Sequence, residues 1–375
     1  MDHIAEQNSV EATVQADGYV QLPEGVPALT TFYLYISGGC NLACRHCYIA
    51  PLFDPTGKKG DYVRLDHVAK AIAEAKPLGL RSAKLTGGEP TLHPQFRELV
   101  SLIAGEEINM IVETNGTLLD ESLAHFMKEN RVMFVSVSLD GANAESHEGL
   151  RGVKGSFDAA VSGIKALVSA GFAPQLICTL HQGNADEMHK VIELGESLGC
   201  GSIKFNLLQN MGRGERLLEE EGLEIAELID LYNHLERDIR PNYNIRVFYD
   251  IPPAFQSIKW QLEDFSSCNV FHILGMLAGG NLALCGVGTQ IPDLVYGHIE
   301  TDNVFDVWCH SAGLTDLREK IPAQLEGICG ECLHRNVCLG RCVANNFHTA
   351  QKLNAPYLFC DRADKLGLFP ATRKK

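Results

Sequence analysis

Between residues 32 and 207 the chain alternates short apolar runs with amphipathic ones, and this alternation restricts its fold more than any other feature. Strand-length runs at 32–36, 82–85, 109–112, 132–139, 174–179 and 202–207 enclose helical spacing at 65–75, 94–103, 121–128, 157–169 and 185–197. A further helix is expected over 223–237. Strands apolar on both sides suit a parallel sheet covered by helices, and their crossovers should be right-handed. Six such units are too few for a closed eight-fold barrel. The spacing predicts an α/β fold with an open, TIM-like partial (β/α)6 barrel, its chemistry at the carboxyl ends of the strands.

This barrel is expected over 31–240, after an N-terminal arm or hairpin at 1–30 (13–22, with Asp17-Gly18 as turn). Beyond about Pro241 helical periodicity fades, and Cys268, Cys285, Cys309, Cys329, Cys332, Cys338, Cys342 and Cys360 crowd the remainder. Residues 241–375 are therefore expected to form a small cysteine-rich α+β domain. The net charge of -15 makes nucleic acid a poor partner. No stretch approaches the roughly 18–20 apolar residues of a membrane span, and Asp2 and Glu6 spoil a signal peptide. A cytoplasmic protein is expected. In a reducing compartment, thirteen clustered cysteines point to metal ligands rather than disulfides.

Cys40-Asn41-Leu42-Ala43-Cys44-Arg45-His46-Cys47-Tyr48 follows the first strand directly. Three thiolates so close can converge on one centre. On a four-iron cluster they leave one iron open to bind and activate a small molecule. A zinc site is the alternative, but zinc takes four ligands and His46 is a poor fourth beside Cys47. Thr86-Gly87-Gly88-Glu89-Pro90 follows the second strand. Its glycines permit close backbone approach to a ligand, and Glu89 can accept from an ammonium.

CxxxCxxC after the first strand and GGEP after the second resemble the radical S-adenosylmethionine (SAM) superfamily. The resemblance implies a SAM-binding [4Fe-4S] cluster on Cys40, Cys44 and Cys47, and a cofactor contact from Gly87, Gly88 and Glu89 to the methionine amino group. It makes Asn115, in Glu113-Thr114-Asn115-Gly116, another lining element. It assigns ribose contacts to Ser138 and Asp140 at the end of strand four. Arg151 would pair with the SAM carboxylate, a solvated loop arginine being the alternative. Tyr48 would lie near the adenine or simply pack in the core.

The C-terminal spacing is more specific. Cys268 precedes Gly280 by eleven intervening residues, and Cys285 follows after four. Next come Cys329-x2-Cys332-x5-Cys338-x3-Cys342, and Cys360 after seventeen. These seven cysteines resemble the SPASM extension, which implies two auxiliary [4Fe-4S] clusters; a pair of zinc knuckles is the alternative. Carried over, Cys329, Cys332, Cys338 and Cys360 hold the distal cluster. Cys268, Cys285 and Cys342 hold the nearer one, a ligand short. Cys309 is unused, and Cys178 and Cys200 read as small buried hydrophobes.

The resemblance implies an enzyme that reductively cleaves SAM to a 5′-deoxyadenosyl radical and abstracts hydrogen from its substrate. Among SPASM relatives that substrate is most often a peptide or small protein being crosslinked, oxidised or epimerised. A tetrapyrrole side chain or other small molecule is the second reading. A non-catalytic iron–sulfur electron carrier and a zinc-stabilised interaction protein differ in kind; a carrier needs no SAM-lining set. Gly286 stands where sulfatase-maturing relatives carry an aspartate, so that activity is not expected. An electron donor of flavodoxin or ferredoxin type is implied. With about thirty residues before strand one, a separate peptide-recognition protein or edge-strand pairing is expected. Four smaller expectations complete the reading. His93 makes a local hydrogen bond, the 219–221 glutamates start a helix, and Arg373-Lys374-Lys375 is frayed. Residues 52–61 form a surface loop or lid.

Overall fold

The computed structural model describes residues 19–56, 59–264 and 268–375. Most of the expected 13–22 hairpin lies outside them, as does part of the 52–61 loop. The strands are β1 (Thr31–Ser37), β2 (Ser82–Gly87), β3 (Asn109–Thr114), β4 (Val132–Ser138), β5 (Gln175–Leu180) and β6 (Ser202–Leu207). Four more follow, β7 (Arg246–Tyr249), β8 (Ile273–Met276), β9 (Asn281–Ala283) and β10 (Val295–His298). One sheet holds all ten in the order β10-β9-β8-β1-β2-β3-β4-β5-β6-β7. Pairing is parallel from β8 through β7 and antiparallel across β8, β9 and β10.

The six expected strands form the centre of this partial barrel, and the cysteine-rich region follows it. The boundary expected near residue 240 does not separate two sheets, because β7 and β8 extend the barrel at its two edges. Neither reads as a parallel strand in sequence. β7 alternates buried Val247 and Tyr249 with exposed Arg246 and half-buried Phe248, and β8 is four residues long with a glycine.

The helices α1 (Leu65–Ala75), α2 (Phe96–Gly105), α3 (Glu121–Glu129), α4 (Ala144–Arg151), α5 (Ser156–Ser169), α6 (Met188–Ser197), α7 (Arg213–Glu221) and α8 (Ile225–His234) connect the central strands and follow them. On β1, Phe32, Leu34 and Ile36 are fully buried in the same core as Val68, Ala71 and Ile72 of α1. Each large side chain so buried contributes roughly 1.5–3 kcal/mol. The alternate set includes Tyr33 and, in register on β2, Lys84.

Local chemistry sets the helix ends. Asp120 caps α3 by accepting from Leu123 N at 2.7 Å. The 94–103 helix begins later than expected, at Phe96, because Pro94 and Gln95 form the turn before it. The expected 185–197 helix starts with a 3-10 turn at Ala185–Glu187. Beyond α8 the chain continues into a π turn at Leu235–Ile239.

The 219–221 glutamates end α7 rather than starting a helix. That end disfavours carboxylates, and Glu221 is held instead by Arg45 and, at 3.1 Å, by His181 Nδ1. The 373–375 tail is not frayed: Lys374 bridges Cys332, Leu333 N donates to Arg373 O at 2.9 Å, and Lys375 N donates to Glu331 O at 2.9 Å. His93 takes the local role expected, with Nε2 at 2.8 Å from Val63 O and Nδ1 accepting from Gln95 N. No helix among the described residues is long and apolar enough to cross a membrane.

Candidate functional site

The loop carrying Cys40, Cys44 and Cys47 leaves the carboxyl end of β1 and is clamped from three sides. Gly39–Cys40 pairs with Leu52–Phe53 in a two-residue ladder. Ala43 N and Arg45 N donate to Arg151 O and Leu150 O at the end of α4, at 3.1 and 2.9 Å. Arg213 Nε, at the start of α7, donates to Cys44 O at 2.8 Å. Cys40 and Cys44 are buried and Cys47 half-buried. Burial, with Glu89 nearby, pushes the Cys40 thiol up to about 12, and the charges of Cys44 and Cys47 add to the rise. Burial also raises Cys44, against the pull of Arg151. Thiols gathered and desolvated in this way become thiolates when a cation binds among them.

The glycines of the second motif serve this loop. Gly87 has φ +131°, and a Cβ there would meet Ser37 O at 2.5 Å. A Cβ on Gly88 would meet Gly39 O at 2.0 Å. The close approach that the sequence suggested toward a ligand is therefore made first toward the Ser37–Gly39 backbone. Glu89, expected to face an ammonium, is fully buried. One oxygen accepts from Thr91 N, Thr91 Oγ1 and Thr114 Oγ1 at 3.1, 2.6 and 2.7 Å; the other accepts from Asn115 N at 2.7 Å. The carboxylate ties the ends of β2 and β3 together. Asn115 then reaches Asn41 Oδ1 at 2.8 Å and the Cys40 sulfur at 3.9 Å.

Ser138 is half-buried at the end of β4. Asp140, expected at ribose hydroxyls, has no exposed surface and is occupied by the protein. Its carboxylate pairs with Arg151 Nε at 2.5 Å and accepts from Thr179 N at 2.8 Å. Burial works against its charge, but Arg151 and His46 outweigh that and hold it below the ordinary range. Arg151 is buried rather than solvated and also donates to the Cys44 sulfur at 3.5 Å. Tyr48 is half-buried, and its hydroxyl bonds to Tyr35 in the neighbourhood of Cys285.

The C-terminal cysteines fall into two groups. Cys329, Cys332, Cys338 and Cys360 line one cavity, walled by Leu325, Ile328 and Phe369. Within it the Cys329 and Cys360 thiols hydrogen-bond, and Tyr357 N donates to the Cys329 sulfur at 3.3 Å. Cys268, Cys285 and Cys342 are each other's electrostatic neighbours; burial raises all three, Cys268 to about 11. Lys84, at 2.7 Å from Glu113, adjoins this second group. So does Asp250, held by Lys204 at 3.3 Å and by Arg341. Cys178 and Cys200 are buried in the barrel, and Cys309 is buried away from both groups.

The donor sets are all cysteine, which is the ligand chemistry of iron–sulfur clusters, and the four cysteines of the distal cavity would equally suit a structural zinc.

Sequence reasoning passed over Ser37-Gly38-Gly39, although a glycine pair before the first cysteine signalled close packing there. It also passed over Arg213 and the Asp250–Arg341 pair, whose partners are remote in sequence.

A family model described as the Radical SAM superfamily matches residues 34–195. The chain is 27% identical over 319 residues to the AdoMet-dependent heme synthase of Methanosarcina barkeri, covering 81% of this chain and 88% of that protein. It is 28% identical over 342 residues to the mycofactocin maturase MftC of Mycobacterium ulcerans, covering 90% and 89%. Among solved structures, Streptococcus suis SuiB bound to its precursor peptide SuiA matches with a TM-score of 0.71 at 15% identity, over 90% of this chain and 76% of that one. At that identity the likeness is one of fold.

Proposed function

This chain belongs to the radical SAM superfamily, and from that premise we propose that it is a SPASM-type enzyme that modifies a peptide or small protein by hydrogen abstraction. The bound cluster supplies the single electron that splits SAM into a hydrogen-abstracting fragment. The protein's own residues do the rest. Cys40, Cys44 and Cys47 hold the cluster at the barrel mouth. Glu89 fixes the ends of β2 and β3, so that the Gly87-Gly88 backbone borders the cofactor. Arg151, steadied by Asp140, keeps a cation beside the Cys44 thiolate and within reach of the SAM carboxylate. Tyr35, Tyr48 and the buried walls exclude water from the reacting atoms. Cys329, Cys332, Cys338 and Cys360 would hold the distal auxiliary cluster, and Cys268, Cys285 and Cys342 the nearer one.

The observation that carries a peptide substrate is the state of the cations around the barrel. Lys84 is matched by Glu113, and Lys204 and Arg341 share the one carboxylate of Asp250, so a single positive charge is left over where a polycarboxylate such as a tetrapyrrole would need several. The cavity at the ends of β5 and β6 offers leucines with the amides of Gln209, Asn210 and Asn345 instead, and Arg362 as its cation. Amides pair with a peptide main chain. The relatives divide between a peptide maturase and a heme synthase, so tetrapyrrole chemistry is the second reading.

The test is to incubate the anaerobically loaded enzyme with SAM, dithionite and, separately, short peptides encoded beside its gene and a porphyrin carboxylate. A mass change in a peptide, coupled to 5′-deoxyadenosine, supports the proposal. A change in the porphyrin alone overturns it.

A further inference from the structure

The cavity bordered by Gln209, Asn210 and Asn345 lies on the helix side of the sheet, not in the barrel lumen. Leu180 and Leu207, which line it at the ends of β5 and β6, share the strand faces of Leu176 and Ile203. Those faces pack on the outer helices: a Cβ on Gly195 of α6 would meet Ile203 Cδ1 at 2.8 Å and Leu176 Cδ1 at 3.1 Å. Lys204 and Asn206 of β6 take the opposite face, where Lys204 reaches Asp250. Half-buried Leu218 of α7 and Leu223, with Ile225 at the start of α8 and Phe359 of the helix Leu358–Lys365, form the outer walls.

The inner end of the cavity borders the barrel mouth. Asn345 Nδ2 donates to Gln209 Oε1 at 3.4 Å, which joins the loop after β6 to the helix Val343–Ala350 that follows Cys342. Gln209 also backs the first cysteine loop, since a Cβ on Gly214 would meet Gln209 O at 2.7 Å and His46 O at 2.9 Å.

The walls are acidic. On α7, Arg216 is matched by Glu220 and Glu221 by Arg45, which leaves exposed Glu215 and Glu219 over. Glu224, which caps α8, and Glu227 and Asp230 within it are exposed and make no ion pair among the described residues. On the helix Leu358–Lys365, Asp361 is matched by Lys365, and Arg362 is left over. Five carboxylates thus stand against one guanidinium.

We propose that this lateral cavity is an anchor site for the peptide substrate. It takes a large aliphatic or aromatic side chain from a stretch flanked by lysine or arginine, while a different residue of the same peptide enters the lumen. The proposal rests on the peptide reading above. The leucine walls take the side chain out of water, and the amides at the inner end pair with the peptide main chain. The acidic walls draw the basic flanks and repel a polycarboxylate. Binding energy gained here, away from the reacting atoms, holds the peptide in place for the reaction.

The test uses the cluster-loaded enzyme and a fluorescently labelled Gly-Lys-Arg-Leu-Phe-Lys-Arg-Gly amide, followed by anisotropy at low and high salt. It is compared with probes carrying glutamate for the basic residues, serine for Leu-Phe, or a free terminal carboxylate. The proteins are the wild type, Glu219→Lys with Asp230→Lys, Leu223→Trp and Arg362→Gln. We expect the glutamate and serine probes to bind about tenfold more weakly or worse. The parent probe should lose about tenfold in affinity in the charge-reversed and Leu223 variants, and should weaken with salt. Dithionite-driven SAM cleavage without peptide should be unchanged in the charge-reversed variant. Equal binding of the basic and glutamate probes, or parent-probe binding that neither variant alters, overturns the anchor site alone. Binding that is tightest for the free acid and is lost in Arg362→Gln overturns it in favour of a carboxylate ligand. Modification of the porphyrin carboxylate alone by the wild type overturns instead the peptide reading beneath it.

Discussion

Arg151 holds Asp140 through Nε at 2.5 Å and turns a terminal nitrogen to the Cys44 sulfur at 3.5 Å. One buried guanidinium thus links the end of β4 to the first cysteine loop. A cation hydrogen-bonded to a cluster thiolate stabilises it and sets its properties. Removing one partner of a buried ion pair leaves the other charge uncompensated, which costs about 3–5 kcal/mol. Asp140→Asn is therefore expected to lower the melting temperature markedly and, by freeing Arg151, to weaken SAM binding. Differential scanning fluorimetry and equilibrium dialysis with SAM check both. Unchanged stability would contradict the pairing.

Gly88→Ala places a methyl 2.0 Å from Gly39 O, against backbone that cannot rotate away. The cysteine loop must shift, and the expected outcome is loss of its cluster with the two C-terminal clusters retained. Iron analysis should fall by about a third, from roughly twelve atoms per chain.

Glu89→Gln separates two roles. A glutamine keeps one accepting oxygen and presents an NH2 group to buried donors that now need acceptors. Each donor left unsatisfied costs about 1–3 kcal/mol. If Glu89 ties β2 to β3, Glu89→Gln lowers the urea midpoint by an amount independent of SAM. If it instead binds the SAM ammonium, stability without SAM is unchanged and only SAM affinity falls. The first outcome is expected.

Acid should weaken the fold through His147. Burial first, then Arg151, lowers its imidazole to about 4 from the ordinary 6.5. A histidine held neutral in the fold contributes stability that is fully present above pH 6.5 and is lost as pH falls toward 4. The loss is up to about 3 kcal/mol at 1.36 kcal/mol per unit. His147 Nδ1 accepts from Asp140 N at 3.2 Å, so His147→Asn keeps an acceptor without the titration. Urea unfolding at pH 7 and pH 5 should show a smaller difference for His147→Asn than for the wild type. His46, also lowered to about 4 by burial, and the buried His93 and His181, lowered as well, contribute the slope that remains.

How far the sequence reached depended on how local each signal was. The helix Leu65–Ala75 and the strand Ser202–Leu207 were legible to the residue, because each repeats its apolar positions at one clear period. The eight-residue α4 was not, because it is mostly polar and is fixed by its Asn143 cap and by contact with the cysteine loop. The spacing alone set out the ten candidate cysteines as three sets, and in the structure Cys329, Cys332, Cys338 and Cys360 line one cavity. The burden on Asp140 was not legible. A carboxylate that suits a ribose hydroxyl also suits a guanidinium, and only the fold brings Arg151 to it. The tail misled for the same reason: three basic residues look frayed until Glu331, Cys332 and Leu333 supply a backbone edge for them.

The most direct test of the account is an anaerobic count of iron, sulfide and zinc, followed by SAM and dithionite and an assay for 5′-deoxyadenosine. Wild-type protein should carry about twelve irons and form deoxyadenosine. The Cys40→Ala, Cys44→Ala, Cys47→Ala triple variant should keep about eight irons and form none. Stoichiometric zinc with little iron and no deoxyadenosine would contradict the account and make the C-terminal cysteines a structural zinc module.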